Sequence, residues 1–518
     1  MNIVDLFKKE AAGSGGYLAV MLILSGGGEL LLLHIIQTSL HTLTPGANPR
    51  VVLLFLITLS ITMLASVKAR KCTVRIIHKL AMNLFDQNVA GLHRAKFVTF
   101  EGLGRAAIYN TLLVDTQKLV ELADDLAFMQ NVIVVCVSGS LYLLWFAPLA
   151  FAFTTGALAG GIALFLAVYP QVRRMLLASR EREKDLFHLI NHLIYGFKEL
   201  KVNPQKMADF FQADLTKTFA AYKNLRQRAK NLSADADIFS MFLDYGRFIP
   251  ILFVLPFVVS ASQSVIPQIV AVMLFIPLTD LKGLISDVLT ANVAVNRLTR
   301  LQQTLAELGR EEIQWPAKAQ RHFQTLAYQN ITFAYTDQQG EPTFTIGPLN
   351  LTLTAGEIVF LIGGNGSGKT TLMRVMTGLY PRLSGQIELD GAPIRMEQHR
   401  YLFATIFTDF HLFDRFYGLP DVQPEQVQPL LELMALTHKV RFEHGQFSTQ
   451  DLSGGQRKRL ALITSLLEDK PIYLFDEWAA GQDPEFREYF YLTLLLKFKQ
   501  AGKTIFAITH DDQYFHVA

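Results

Sequence analysis

Residues 358–371 read IVFLIGGNGSGKTT. An apolar run becomes a glycine-rich loop and then a helical segment beginning at Leu372. This is the pattern GxxxxGK[ST] in the strand–loop–helix setting its chemistry needs. Gly363, Gly366 and Gly368 let backbone N–H groups turn inward around phosphate oxygens. The helix N-terminus adds partial positive charge at the same point. Lys369 is placed to reach β- and γ-phosphates, and the Thr370 hydroxyl to bind Mg²⁺. The candidate nucleotide contacts are Gly363, Gly364, Asn365, Gly366, Ser367 and Gly368 in the loop, then Lys369, Thr370 and Thr371.

Downstream, residues 472–477 read IYLFDE. An apolar strand ends in two carboxylates. Asp476 is the candidate to hold Mg²⁺ and Glu477 the candidate general base toward an attacking water. An Asp-Glu pair commonly caps a helix, but carboxylates at a strand end are what a phosphate-binding loop requires. Between the two motifs lies LSGGQRKRLAL, 452–462.

That order resembles the ATP-binding-cassette ATPases, whose signature is LSGGQ. The resemblance implies that Ser453, Gly454, Gly455 and Gln456 contact nucleotide held by another subunit. One chain with one phosphate loop and one signature then cannot complete a site, so two cassettes pair head to tail, most economically as a homodimer. His510, in IFAITHDD, matches the family's switch histidine. Tyr335, in NITFAY, stands where the family stacks an aromatic ring on adenine; core packing is the plain alternative for such a ring. Asp483, after EWAAGQ, takes the place of the loop that senses the opposite subunit.

Two features depart from the family pattern. Most cassettes have Gln after the second core strand, where this chain reads FATIFTDFHLF, 403–413. Thr408 falls at the Gln position with Asp409 beside it. Either offers an oxygen to Mg²⁺ or water, and Asp409 joins Thr370 and Asp476 as a metal-ligand candidate. The chain also stops at residue 518, eight beyond His510, where related cassettes usually continue.

The elements that carry these motifs occupy the second half of a 518-residue chain. Hydrophobic residues make up 50% and charged residues 18%, and the apolar excess lies before residue 290. A membrane-crossing helix needs about 20 mostly apolar residues. Residues 16–37 and 51–67 supply two. Residues 126–170 carry no charge and are long enough for two more, with Pro148 as the turn. Residues 238–287 supply the last two, divided at 260–264. Lys and Arg concentrate in the connections 68–125 and 171–237 and not in the short ones, so the long loops and both termini are expected in the cytoplasm. Those long loops show helical periodicity, as in DLFHLINHLIYGFKELK at 185–201, so the membrane helices are expected to continue into the cytoplasm.

The expected fold is therefore a multi-domain membrane protein. A six-helix all-α transmembrane domain of the ABC exporter type (1–308) is followed by a linker (309–322) and an α/β phosphate-loop nucleotide-binding domain (323–518). The net charge of +3 gives no case for nucleic acid. Cys72 and Cys136 read as free thiols. His188 and His192, at i and i+4, have the spacing of a metal pair but read as a solvated helix face. Glu29, His34 and Gln37 in the first span, and Asp244 and Arg247 in the fifth, are polar groups at membrane depth. Substrate contact and helix–helix packing both account for them.

The wording DFHLFDRFYG, FDEWAAGQDPEFREYFY and THDDQYF, with HLIYGFKELKVN in the membrane half, resembles the bacterial cyclic-peptide exporters. That family includes pyoverdine-type siderophore and syringomycin-type lipopeptide exporters. The resemblance implies ATP- and Mg²⁺-dependent export of a peptide or peptide-derived metabolite across a bacterial inner membrane, with a periplasmic or outer-membrane partner as a further expectation. No peptidase-like domain precedes the first span, so leader cleavage is not expected. A lipid flippase of the same architecture and a non-transporting ATP sensor are the rival readings. An importer is disfavoured because importers normally encode cassette and membrane parts on separate chains.

Overall fold

The computed structural model describes residues 3–41, 49–246, 248–249, 252–253, 269–270, 281–307, 311, 322–337, 339, 341–419 and 421–518. The chain divides into two compact units. The first holds residues 1–89 and 106–303, and the second holds 90–105 and 304–518. Residues 90–105, from the first long loop, thus belong to the unit that carries the phosphate-binding loop.

The first unit is built on long helices: α1 (Gly15–His41) and most of α2 (Pro49–His93). A short helix of the second unit follows, α3 (Phe97–Leu103). The chain then returns to the first unit with α4 (Thr116–Phe146), α5 (Pro148–Tyr195), α6 (Thr216–Gly246) and most of α7 (Leu281–Glu307). Among the described residues, three helical stretches are long and apolar enough to cross a membrane: Gly15–Ser39, Pro49–His93 and Arg105–Phe146. They coincide with the first three expected spans. The fourth expected span falls on α5. The fifth and sixth, and with them the Asp244–Arg247 pair, lie largely outside the described residues.

Local chemistry sets the helix limits. Helix α4 stops at Ala147, whose backbone leaves the helical region (φ −146°, ψ 79°), and α5 restarts with Pro148 in its first turn. Proline suits that position because the missing N–H has no intrahelical partner there. Helices α2 and α5 have 45 and 48 residues. At 1.5 Å per residue each is about 70 Å long, roughly twice a bilayer's hydrocarbon thickness. The periodicity at 185–201 belongs to this continuation, since α5 runs to Tyr195 and helix resumes over Phe197–Val202.

The second unit is the α/β part. Its antiparallel sheet contains β1 (Thr325–Thr336), β2 (Pro342–Thr354), β4 (Ser384–Leu389) and β5 (Ala392–Pro393), in the order β2-β1-β4-β5. A second sheet, wholly parallel, contains β3 (Ile358–Leu361), β6 (Phe403–Ile406), β7 (Ile472–Asp476) and β8 (Thr504–Ile508). Its order is β3-β8-β7-β6. Strands β7 and β8 are buried at every position, which explains why they read as unbroken apolar runs rather than alternating ones. The helices that matter for the site are α8 (Lys369–Met376), α9 (Gly454–Glu468) and α10 (Pro484–Tyr489).

Two cores hold this unit. One packs α8 between the sheets, with Met373, Met376 and Tyr380 buried against Tyr328, Leu474 and Phe506. The other is aromatic: Trp478 stacks on Phe490 at 4.4 Å between ring centroids, and Phe475 meets Phe490 edge-on at 5.6 Å. Trp478 immediately follows Glu477, so this cluster anchors the turn that carries the second carboxylate. Phe490→Ala is expected to destabilise the unit by about 3–5 kcal/mol. Chemical denaturation of the full chain in detergent, followed by Trp fluorescence, checks this; Phe490→Leu should cost clearly less.

Candidate active site

The register of the parallel sheet brings four strand ends to one edge. Leu361 pairs with Ile508, Ile508 with Asp476, and Ile406 with Phe475. Each strand exits into a segment singled out by sequence: the glycine loop after β3, Thr408 after β6, Glu477 after β7 and His510 after β8. Ligands of open parallel sheets bind at this carboxyl edge.

The loop between β3 and α8 is shaped by its own residues. Lys369 Nζ donates to the carbonyls of Gly363 at 2.9 Å and Gly364 at 3.0 Å. Gly368 has φ +91°, and a Cβ there would lie 2.9 Å from Ile346 and 3.0 Å from the Phe344 ring. Only glycine satisfies both constraints. Helix α8 begins at the next residue, so its unpaired N–H groups face the loop.

Asp476 is 1% exposed. Its carboxylate accepts from Thr370 Oγ1 at 3.0 and 3.2 Å and from the Thr408 N–H at 3.4 Å. The Thr408 hydroxyl donates to the Asp476 carbonyl at 3.2 Å. Asp409 goes elsewhere: its carboxylate lies 3.9 Å from Arg374 and 3.7 Å from Arg105. Thr408, rather than Asp409, therefore stands beside the Thr370–Asp476 pair. Successive residues leaving a strand point to opposite sides. The two hard oxygens of Thr370 and Asp476 suit Mg²⁺, which takes one or two protein ligands and fills its octahedron with phosphate and water oxygens.

Glu477 has φ +50°, a backbone region non-glycine residues seldom occupy. Three contacts hold it there. Its N–H donates to the Ile508 carbonyl at 3.2 Å. Lys458, from α9, donates to the carbonyls of Glu477 at 2.7 Å and Ala480 at 2.9 Å. His510 Nε2 lies 3.3 Å from Glu477 Oε1. Burial pulls the Lys458 pKa below its ordinary value, and the Glu477 and Asp476 carboxylates oppose that shift. Behind His510, the Thr509 hydroxyl meets Tyr491 Oη at 2.6 Å, and Tyr491 donates to Asp511 at 3.0 Å. That pair fixes the strand exit from which His510 projects.

A cavity of about 600 Å³ opens on this edge, lined by Tyr335, Phe344, Lys369, Thr370, Thr371 and Glu477, with Asn365, Gly366 and Gly368 at its floor. Tyr335 is half-buried, and its ring meets Phe333 edge-on at 5.1 Å. None of Ser453, Gly454, Gly455 and Gln456 is among the described residues that line the cavity. Ser453 instead caps α9: its oxygen accepts from Gln456 N–H at 3.4 Å, and Gln456 Oε1 accepts from Ser453 N–H at 3.3 Å. The Gly455 carbonyl accepts from Gln482 Nε2 at 3.1 Å, and a Cβ on Gly455 would sit 2.9 Å from the Gly481 carbonyl. Asp483 caps α10 and pairs with Arg459, whose guanidinium also lies 3.6 Å from the Phe486 ring centroid.

The comparisons with known proteins bear on the whole chain. The family described as "ABC transporter" matches residues 346–480. The ATP-binding protein SyrD of Pseudomonas syringae pv. syringae is 31% identical over 523 residues, covering 96% of this chain and 90% of that protein. The chain belongs to the ATP-binding-cassette exporters. The cassette alone also resembles the β-(1→2)glucan export ATP-binding/permease protein NdvA of Rhodopseudomonas palustris. That match is 31% identical over 199 residues, 35% of this chain and 32% of that protein. A solved bacterial Atm1-family ABC exporter with ATP bound shares the fold of this exporter. Its TM-score is 0.70 at 16% identity, over 98% of this chain and 92% of that one. The exporter is accordingly an ATP hydrolase.

Other residues of interest fall away from this site. Glu29 accepts from Ser138 at 3.1 Å, His34 lies 3.4 Å from the Tyr142 hydroxyl, and Tyr142 also bonds Gln37. All three polar groups of α1 thus meet α4, which is the packing expected of polar residues at membrane depth. His188 and His192 are exposed neighbours, 4.4 Å between ring centroids, and among the described residues no group of three or more His, Cys, Asp or Glu is arranged to hold a metal. Cys72 and Cys136 are both buried. Sequence reasoning missed Lys458, Arg459 and Gln482, because their partners lie on a turn beyond a different strand. The signal available was only the basic run RKR after the signature.

Lys458→Met removes the ammonium that ties the Glu477 turn to α9. ATP turnover by the exporter is expected to fall about tenfold, with ATP binding retained. Steady-state ATPase assays beside equilibrium binding of a fluorescent ATP analogue separate the two effects.

Proposed function

We propose that two copies of this exporter pair through head-to-tail cassettes and use ATP to move a peptide or peptide-derived metabolite out across a bacterial inner membrane. The single observation that carries the pairing is the cavity itself. It is lined by the phosphate loop, the Glu477 carboxylate and an aromatic wall, while the signature lies outside its lining. The peptide cargo is supported by similarity to SyrD along both domains. The six-span topology is supported by the count of apolar runs, and a cytoplasmic cassette by the charge distribution of the loops.

In this reading Tyr335 stacks on adenine, and Lys369 and the loop N–H groups bind the β- and γ-phosphates. Thr370 and Asp476 hold Mg²⁺, with Thr408 beside them in place of the usual Gln. Bound Mg²⁺ supplies neutralisation of phosphate charge. Glu477 polarises the attacking water, and His510 orients that carboxylate. Ser453 and Gly455 come from the second copy and close over the γ-phosphate. Because ATP is gripped from both sides only when the cassettes meet, its binding favours the closed pair, and hydrolysis releases it.

Pairing has a direct test. Lys369→Ala and Ser453→Ala each damage both composite sites of a homodimer. A mixed dimer of the two variants contains one doubly damaged site and one intact site. ATPase activity should reappear when the two variants are co-expressed and purified through different tags; continued inactivity counts against composite sites.

Inside-out vesicles test export. ATP-dependent uptake of a labelled cyclic lipopeptide is expected with the wild type. Glu477→Gln should bind ATP yet lose turnover by roughly 10²–10⁴-fold, and with it uptake. Phospholipid scrambling without peptide uptake identifies a flippase, and ATPase activity unresponsive to any cargo identifies a sensor.

A further inference from the structure

Tyr335 does not stand alone on the wall of the nucleotide cavity. Its hydroxyl is 3.1 Å from the Tyr380 hydroxyl and 3.3 Å from Thr371 Oγ1. The Tyr380 hydroxyl also meets Arg374 Nη1 at 2.8 Å and bonds the Glu101 carboxylate. Arg374 in turn lies 3.1 Å from Glu101. Glu101 is on α3, the short helix in the segment 90–105, which packs within the same unit as the cassette.

The donors and acceptors of this cluster fix its direction. Arg374 only donates, and the Glu101 carboxylate only accepts. The one proton of Tyr380 therefore goes to Glu101, and its two lone pairs receive Arg374 N–H and Tyr335 O–H. With its own proton committed to Tyr380, Tyr335 accepts from Thr371. The chain runs in one sense, Thr371 to Tyr335 to Tyr380 to Glu101, from the first turn of the phosphate-loop helix to a carboxylate on α3. Every position on the Tyr380 oxygen is filled. Arg374 is further held over the Phe97 ring at 5.6 Å and the Tyr380 ring at 5.5 Å, with Asp409 on its other side.

We infer that Glu101 is a positioning residue for ATP binding, acting through Tyr380 to aim the Tyr335 ring. This rests on the reading of Tyr335 as the adenine platform. The edge contacts of a tyrosine ring restrain its rotation, and a pinned hydroxyl fixes the direction of the ring axis. Here the hydroxyl is held by Tyr380, and Tyr380 is held in turn by Glu101, outside the cassette sequence. Affinity for ATP is then set partly by where α3 sits. Asp409, one residue from Thr408, grips the same arginine, so the base end and the magnesium end of the cavity share one anchor.

The test uses the full chain, reconstituted in lipid nanodiscs, with ATP as the varied substrate. Glu101→Ala and Tyr380→Phe should each raise KM for ATP about threefold to tenfold and leave kcat within about twofold. The double variant should be no worse than the weaker-binding single, because both cut one chain. Glu101→Gln, whose amide oxygen still accepts, should recover most of the loss. Glu101 is exposed enough that Glu101→Ala decides the matter alone if Tyr380→Phe fails to fold. Unchanged KM in Glu101→Ala, or effects that multiply in the double variant, would overturn the relay. Tyr335→Ala separates the layers. If it leaves KM unchanged, the platform reading fails and the relay with it. If it raises KM while Glu101→Ala does not, only the relay fails.

Discussion

A carboxylate that is 1% exposed at the end of a buried strand must be satisfied by its neighbours, and much of the site follows from how Asp476 is satisfied. Its partners come from two other strand exits: Thr370 from the loop after β3 and Thr408 from the segment after β6. The demand of one buried charge therefore draws three segments of the chain into register. In the proposed ATP site the same oxygens would hold Mg²⁺.

Glu477 sits one residue further on, and its turn is held from outside the sheet. The left-handed backbone at this residue costs about 1–3 kcal/mol unless its surroundings over-determine it. Lys458 from α9, the Ile508 carbonyl and the Trp478 cluster provide those surroundings. The helix that presents the signature at its N-terminus thus also clamps the hydrolytic turn of its own chain through its next turn. In the proposed pair of cassettes, a shift of α9 on closure over Ser453 would reach Glu477 through Lys458.

The segment 90–105 adds a third constraint. Its helix α3 ends at Gly104, with φ +77° and its N–H shared between the Phe100 and Glu101 carbonyls, so Glu101 lies at a firm helix end. From there it reaches Arg374 and Tyr380 beside the Tyr335 wall of the cavity. Glu311, near the start of the cassette, makes a paired contact with Arg400 and donates its N–H to the Arg94 carbonyl. Segment 90–105 is therefore tied to the rest of its unit by charge and hydrogen bonding rather than by apolar burial alone.

The sequence by itself determined the chemistry of this protein. The glycine loop, the DE strand end, LSGGQ and the switch histidine are local patterns, each readable because a phosphate or a carboxylate imposes residue types at fixed short spacing. The unbroken apolar runs of β7 and β8 were legible because both strands are buried throughout, as was the Pro148 turn, which proline's missing N–H enforces. What only the tertiary structure decided were the contacts between patterns. The choice between Thr408 and Asp409 depended on which side of a strand exit faces Asp476. Arg374 claimed Asp409, and Asp483 turned out to cap α10 while pairing with Arg459. The contacts of Lys458, Tyr380 and Glu101 could not be read from motifs, because each spans a sequence separation of 19 residues or more to a partner that packing, not spacing, brings within reach.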